Sequence, residues 1–120
     1  MPSDRNRDEI MIDWERVMDL REEVGPEDFL EVAELFLSEV GSVLERLGQA
    51  INVNTLENDM HFLKGAALNL GFADFAQMCR QGEQLAAAAN FGAIDIAAVI
   101  ACFNNSRDSF IAGLAQRMAS

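Results

Sequence analysis

The residues best suited to chemistry sit in one short stretch, Met60-His61-Phe62-Leu63-Lys64-Gly65-Ala66-Ala67. His61 is the chain's one histidine and Lys64 its one lysine. Three residues apart, the two are neighbours on a helix surface. A neutral imidazole is a nucleophile near neutral pH. A fixed cation beside it stabilises the negative charge that spreads over a phosphoryl group in transfer. Gly65, one turn beyond His61, would let the backbone of another protein approach closely. A mid-helix glycine costs about 1 kcal/mol relative to alanine, so it needs a reason. Each feature also has a plainer reading. A lone exposed histidine is usually only a surface residue, a lysine is usually solvated charge, and a glycine can serve close helix packing.

The position of His61 depends on the helix that carries it. Leu56, Met60, Leu63, Ala67 and Leu70 recur at four-three spacing and form an apolar stripe, with Asn54 or Thr55 as cap and Gly71 as the left-handed closing residue. At about 100° per residue, His61 points roughly 140° from the centre of that stripe, with Lys64 and Leu68 on its side. The imidazole is therefore expected to face solvent.

Four further helices are predicted. The first runs from about Asp13 to Val24, capped by Asp13, with Ile12 and Val17 as a hydrophobic staple. Gly25-Pro26 breaks the chain and starts a second helix, with Pro26 at its first position, Glu27 and Asp28 in its first turn and Gly48 at its end. Phe29, Ala33, Phe36, Val40, Val43 and Leu47 are its buried face. The fourth helix runs from about Ala73 to Ala89, with Phe75, Met78, Cys79, Leu85, Ala86 and Ala89 on one side. The fifth starts near Asp95 and buries Ile96, Val99, Phe103, Phe110 and Leu114, with a bend possible at Asn104-Asn105-Ser106. Short connections favour antiparallel neighbours. The expected fold is all-α: an antiparallel up-down-up-down four-helix bundle with an additional short N-terminal helix across one end. Residues 1–11 are polar and aperiodic and are expected to be a flexible tail; residues 12–120 form the bundle domain.

Composition narrows the class. With 120 residues, half of them hydrophobic, one domain can bury a core without disulfides or metal. Two prolines and no tyrosine argue against a strand-rich fold. No apolar run approaches a membrane span, and the first seven residues lack the apolar segment of a secretory signal. A soluble, cytoplasmic protein is expected. Cys79 and Cys102 lack metal or disulfide spacing and are expected to be buried thiols. The net charge of −11 repels nucleic acid and anionic membranes. Pro26 to Gly48 alone carries a net −5, usually the mark of a solvated helix face.

From His61 onward the sequence resembles the histidine-containing phosphotransfer family. The shared motif reads His61-Phe62-Leu63-Lys64-Gly65-Ala66-Ala67-Leu68-Asn69-Leu70-Gly71, followed by Phe72. Trp14 to Leu37 looks like the family's opening helix, glycine turn and long second helix, and Cys79 falls where many members have cysteine. The likeness covers about residues 10 to 115. It implies that His61 attacks an aspartyl phosphate in line through Nε2 while Lys64 steadies the phosphoryl oxygens. The partners implied are response-regulator receiver domains, with a hybrid histidine kinase upstream. Magnesium would belong to the receiver, so this chain is expected to bind no cofactor of its own. A monomer is the family expectation. Twenty-two residues after the histidine, members often carry glutamine or glutamate near the imidazole; here that residue is Glu83, beside the unusual mid-helix Gly82. Glu83 would accept the Nδ1 proton and leave Nε2 free, or else be an ordinary exposed glutamate. Leu68 and Phe62, apolar and off the core stripe, are candidate partner contacts; Phe72 more simply reaches back into the core.

Two rivals remain at the level of sequence. The first is a helical interaction module that binds a signalling partner without phosphotransfer. The second is a metal or hydrolytic bundle. Carboxylate-bridged metal bundles need Glu-x-x-His pairs on two helices, which one histidine cannot supply. The resemblance also implies no kinase activity of the chain's own, and the lack of a Gly-rich nucleotide loop in the sequence is consistent with that.

Overall fold

A computed structural model describes residues 11–118, and five α-helices lie within them with no strand. Helix α1 spans Trp14–Val24, α2 Phe29–Gln49, α3 Leu56–Leu70, α4 Ala73–Ala87 and α5 Ile96–Met118; a single 3-10 turn, Phe91–Ala93, precedes α5. Apart from Met11, the tail expected over residues 1–11 lies outside the described residues. Met11 itself packs against the core, where the Ser109 hydroxyl lies 3.0 Å from its sulfur.

Local sequence accounts for most boundaries. The Asp13 carboxylate accepts from the Arg16 N–H at 3.2 Å and caps α1, with Ile12 and Val17 both buried behind it. The second helix differs from expectation: it starts at Phe29, three residues after Pro26. Gly25 leaves the helical region at φ +95°, and the Asp28 N–H bonds back to the Gly25 carbonyl at 3.1 Å. Residues 25–28 thus close a turn of their own before the first helical bond, Val32 N–H to the Asp28 carbonyl. Gly71 closes α3 in the left-handed region (φ +80°), and the N–H groups of Gly71 and Phe72 both return to the Ala67 carbonyl. Asp95 caps α5 through the Ala98 N–H at 3.0 Å, and that helix continues unbroken through Asn104, Asn105 and Ser106.

The core gathers one face of every helix. Phe72, Phe75, Phe103 and Phe110 form an aromatic chain with ring centroids 5.3 to 6.1 Å apart, the tilted and edge-on geometry such rings prefer. All five stripe residues expected on α3 are buried, as are all five on α5. On α2, Phe36 and Val43 are only half-buried, and Leu44 takes a core place that was not expected. Ala89 is exposed because α4 ends two residues earlier and Ala89 itself has φ +58°. Cys79 is fully buried, and desolvation pushes its thiol up to about 12; Cys102 is only half-buried, contrary to expectation. The most extensive helix interface is that between α3 and α4, followed by α4 with α5, α2 with α3, α1 with α3 and α2 with α5. No helix among the described residues is long and apolar enough to cross a membrane.

Candidate functional site

The site is built where α3 meets α4. Helix α3 turns Leu56, Met60, Leu63, Ala66, Ala67 and Leu70 inward. Its opposite side therefore carries His61, whose side chain is 69 % exposed. Lys64 follows one turn later and is half-buried. Nothing lies within 4 Å of where a Gly65 side chain would begin. Close helix packing therefore does not explain that glycine, and the backbone there is open to an incoming surface.

Glu83 reaches this group from α4. Its carboxylate spans two partners: Oε2 lies 2.7 Å from His61 Nδ1 and Oε1 lies 2.6 Å from Lys64 Nζ. With the ring proton on Nδ1, His61 donates to Glu83 and carries its lone pair on Nε2, which has no partner among the described residues. The Lys64 ammonium, and secondly the hydrogen bond with His61, holds the Glu83 carboxyl below its ordinary range. The site is thus an imidazole and an ammonium joined by one carboxylate.

This geometry rests on a residue that sequence marks only as unusual. A Cβ on Gly82 would lie 2.8 Å from the sulfur of buried Met60 and 3.3 Å from its Cγ. The missing side chain lets α4 settle onto α3 at this point, and Met60 and Gly82 are the chain neighbours of His61 and Glu83. Close contact one residue back from each functional group sets the distance that Glu83 must span. On the other flank, Arg46 of α2 holds Asp59 of α3 through two bonds of 2.8 and 3.2 Å, and the Thr55 hydroxyl lies 3.1 Å from the same carboxylate. Helix α3 is therefore anchored on both sides of the imidazole.

The surroundings are apolar and partly basic. Leu68 is 58 % exposed and Phe62 40 %. An open recess of about 290 Å³ beside Lys64 and Leu68 is completed by Ala73, Ala76, Gln77 and Arg80 of α4. The α4 residues were not singled out from sequence. Their spacing carried the signal, because Ala73, Ala76 and Arg80 fall on one helical face with Glu83. No group of histidine, cysteine and carboxylate side chains able to hold a metal ion occurs among the described residues. Phe72, by contrast, is fully buried.

The family model for the Hpt domain matches residues 31–108, which include His61, Lys64, Gly65 and Glu83. The chain belongs to the Hpt domain family. Hpt domains act in general in histidine phosphotransfer within two-component systems, where they meet receiver domains and histidine kinases. No match to this Hpt domain was found among curated proteins or solved structures. The matched region begins inside α2 and ends inside α5, so α1 lies outside it.

Proposed function

We propose that this Hpt domain carries a phosphoryl group on His61 and exchanges it with the aspartates of response-regulator receiver domains, one of them supplied by a hybrid histidine kinase. The observation that carries the proposal is the exposed imidazole held at Nδ1 by Glu83, with Nε2 uncommitted and Lys64 alongside. The step balances without an external base. The Nε2 lone pair attacks phosphorus, the bond from phosphorus to the aspartyl oxygen breaks, and the aspartate leaves as carboxylate. The ring keeps its proton on Nδ1, and the positive charge it gains faces the Glu83 carboxylate. An ammonium has three donors, so Lys64 can keep its contact with Glu83 and still offer a donor to the phosphoryl oxygens. Reversal of the same step passes the group to a second receiver.

Gly65 fits the closest approach of the receiver backbone, and Leu68, with Phe62 at its edge, supplies apolar contact around it. Magnesium is assigned to the receiver and no cofactor to this chain. The reading places a monomer in the cytoplasm, with helices α2 to α5 running up, down, up and down. Gly48 at the end of α2 lying against Ile100 near the start of α5 supports the antiparallel course of those two helices.

The test is transfer from a receiver radiolabelled on its aspartate. Label should move to the chain within minutes in a form labile to acid and stable to base, as a phosphorylated imidazole is. His61→Gln should bind the same receiver yet take no label. Labelling of His61→Gln at the parent rate would sink the proposal, and a parent chain that binds but never labels would leave an interaction module.

A further inference from the structure

The six acids of Pro26 to Gly48 have no part in the phosphotransfer site, and one of them, Glu34, borders an apolar opening. Between α2 and α5 lies an open groove of about 420 Å³. Leu30, Ala33 and Leu37 line one wall, and Phe110, Ile111 and Leu114 the other. Leu30 is 57 % and Ile111 53 % exposed, although both are large aliphatic side chains. None of these residues belongs to α3 or α4, so the groove is separate from the His61–Glu83 site.

We infer that this groove is the docking site for a basic amphipathic helix of a partner protein. The lining on α2 falls at i, i+3 and i+7, so it extends over about 10 Å of helix, roughly two turns. That length and apolar character match the i, i+3/i+4, i+7 anchors of a helix laid into a groove. Charge decides the other face of the ligand. Glu34 stands in the groove wall, and Glu27 and Glu31 are exposed close by in sequence, before and within α2. No arginine or lysine pairs with any of the three among the described residues. The nearby α5 bases are engaged elsewhere: Arg107 with Asp108 and the Phe103 ring, Arg117 with the Trp14 ring. A second copy of the chain would bring a like-charged helix against this one, in a molecule of net charge −11. A basic helix instead places lysines or arginines opposite the acids while its apolar stripe fills the groove. The two sites face different helices, so a partner held here leaves His61 accessible.

The probe is a labelled 18-residue peptide, helical by design, with leucine at i, i+3, i+4 and i+7 and lysine on the opposite face. Titrated into the full chain, it should shift the amide resonances of Leu30, Leu37, Ile111 and Leu114 and leave that of His61 unchanged. Leu30→Ser with Ile111→Ser should weaken binding at least tenfold. Glu31→Lys with Glu34→Lys should do the same while the transfer rate at His61 stays at the parent value. A scrambled peptide of the same composition binding equally well would overturn the inference, as would shifts centred on Lys64 and Leu68. So would a concentration-dependent dimer that Leu30→Ser dissolves, which gives the groove to a second copy. Nuclear Overhauser contacts from residues 1–10 to Ile111 in the free chain would give it to the chain's own start and equally overturn it.

Discussion

A carboxylate shared between an imidazole and an ammonium makes separable demands on each side chain. Lys64→Ala removes a charge that counts most when phosphoryl oxygens are in flight, so transfer should slow by roughly tenfold to a hundredfold. Receiver binding, measured by titration calorimetry, should change far less; equal rates in mutant and parent would refute a charge role. Glu83 carries a pH signature. Its carboxyl sits below the ordinary value of 4.5, chiefly because of Lys64 and then His61. A depressed carboxylate contributes stability in full above its unfolded pKa and loses it as pH falls through the folded one. Denaturant midpoints of the parent should therefore drop more steeply below about pH 4.5 than those of Glu83→Gln. Parallel curves for the two proteins would mean the bridge adds nothing to folding. At this scale the sequence was most informative where the chemistry is local. His61, Lys64 and Gly65 share one helix, so periodicity alone places them on one exposed side. Glu83 lies 22 residues away and was legible only through family resemblance. Arg80 was legible only once Glu83 is placed, because it shares a helical face with it, and Gln77 was not legible, since its place beside Lys64 depends on how α4 is rotated against α3.

Between elements, two glycines in similar settings should respond in opposite directions. Gly41 of α2 has nothing within 4 Å of the point where a methyl group would stand, so Gly41→Ala should follow intrinsic propensity and stabilise the domain by about 0.5–1 kcal/mol. Gly82→Ala gains the same propensity but drives its Cβ to 2.8 Å from the Met60 sulfur, inside a packed core. Overpacking of this kind typically costs about 1–3 kcal/mol, so the net change should be destabilising. It should also push α4 away from α3 and slow transfer by lengthening the reach of Glu83. Met60→Val in the Gly82→Ala background should recover part of both losses, a coupling that a double-mutant cycle measures. Stabilisation by Gly82→Ala would show that the contact is slack. Helix boundaries were legible wherever a cap or a left-handed glycine announces them, as at Asp13, Gly71 and Asp95. The start of α2 was not. Pro26 fits a first helical position by type, but the backbone of Gly25 had already committed residues 25–28 to a separate turn. The same limit applies to Gly82, whose meaning lies in a residue on another helix.

Whether the molecule unfolds as one unit turns on α1, which lies outside the family match and carries the sole tryptophan. Three kinds of contact hold it. The Asp13 N–H bonds to the Gly71 carbonyl at 2.7 Å, and the Arg16 Nε–H bonds to the Asn69 carbonyl at 3.1 Å, so the start of α1 satisfies groups at the end of α3. Trp14 stacks on Phe110 of α5 at 6.1 Å, with the Arg117 guanidinium 3.8 Å from its ring. Val17 and Leu20 are buried in the common core. A helix of 11 residues is marginal in water by itself, so α1 gains its order from these contacts. Trp14 fluorescence and helix circular dichroism should accordingly trace a single urea transition with one midpoint. Gly71→Ala tests the joint directly. Its Cβ would stand 2.6 Å from the Asp13 carbonyl in a left-handed conformation, so the loss should reach about 2 kcal/mol or more and shift both probes together. If fluorescence moved to lower urea while circular dichroism stayed in place, α1 would be a separately docking element, and the bundle that carries His61 would stand without it.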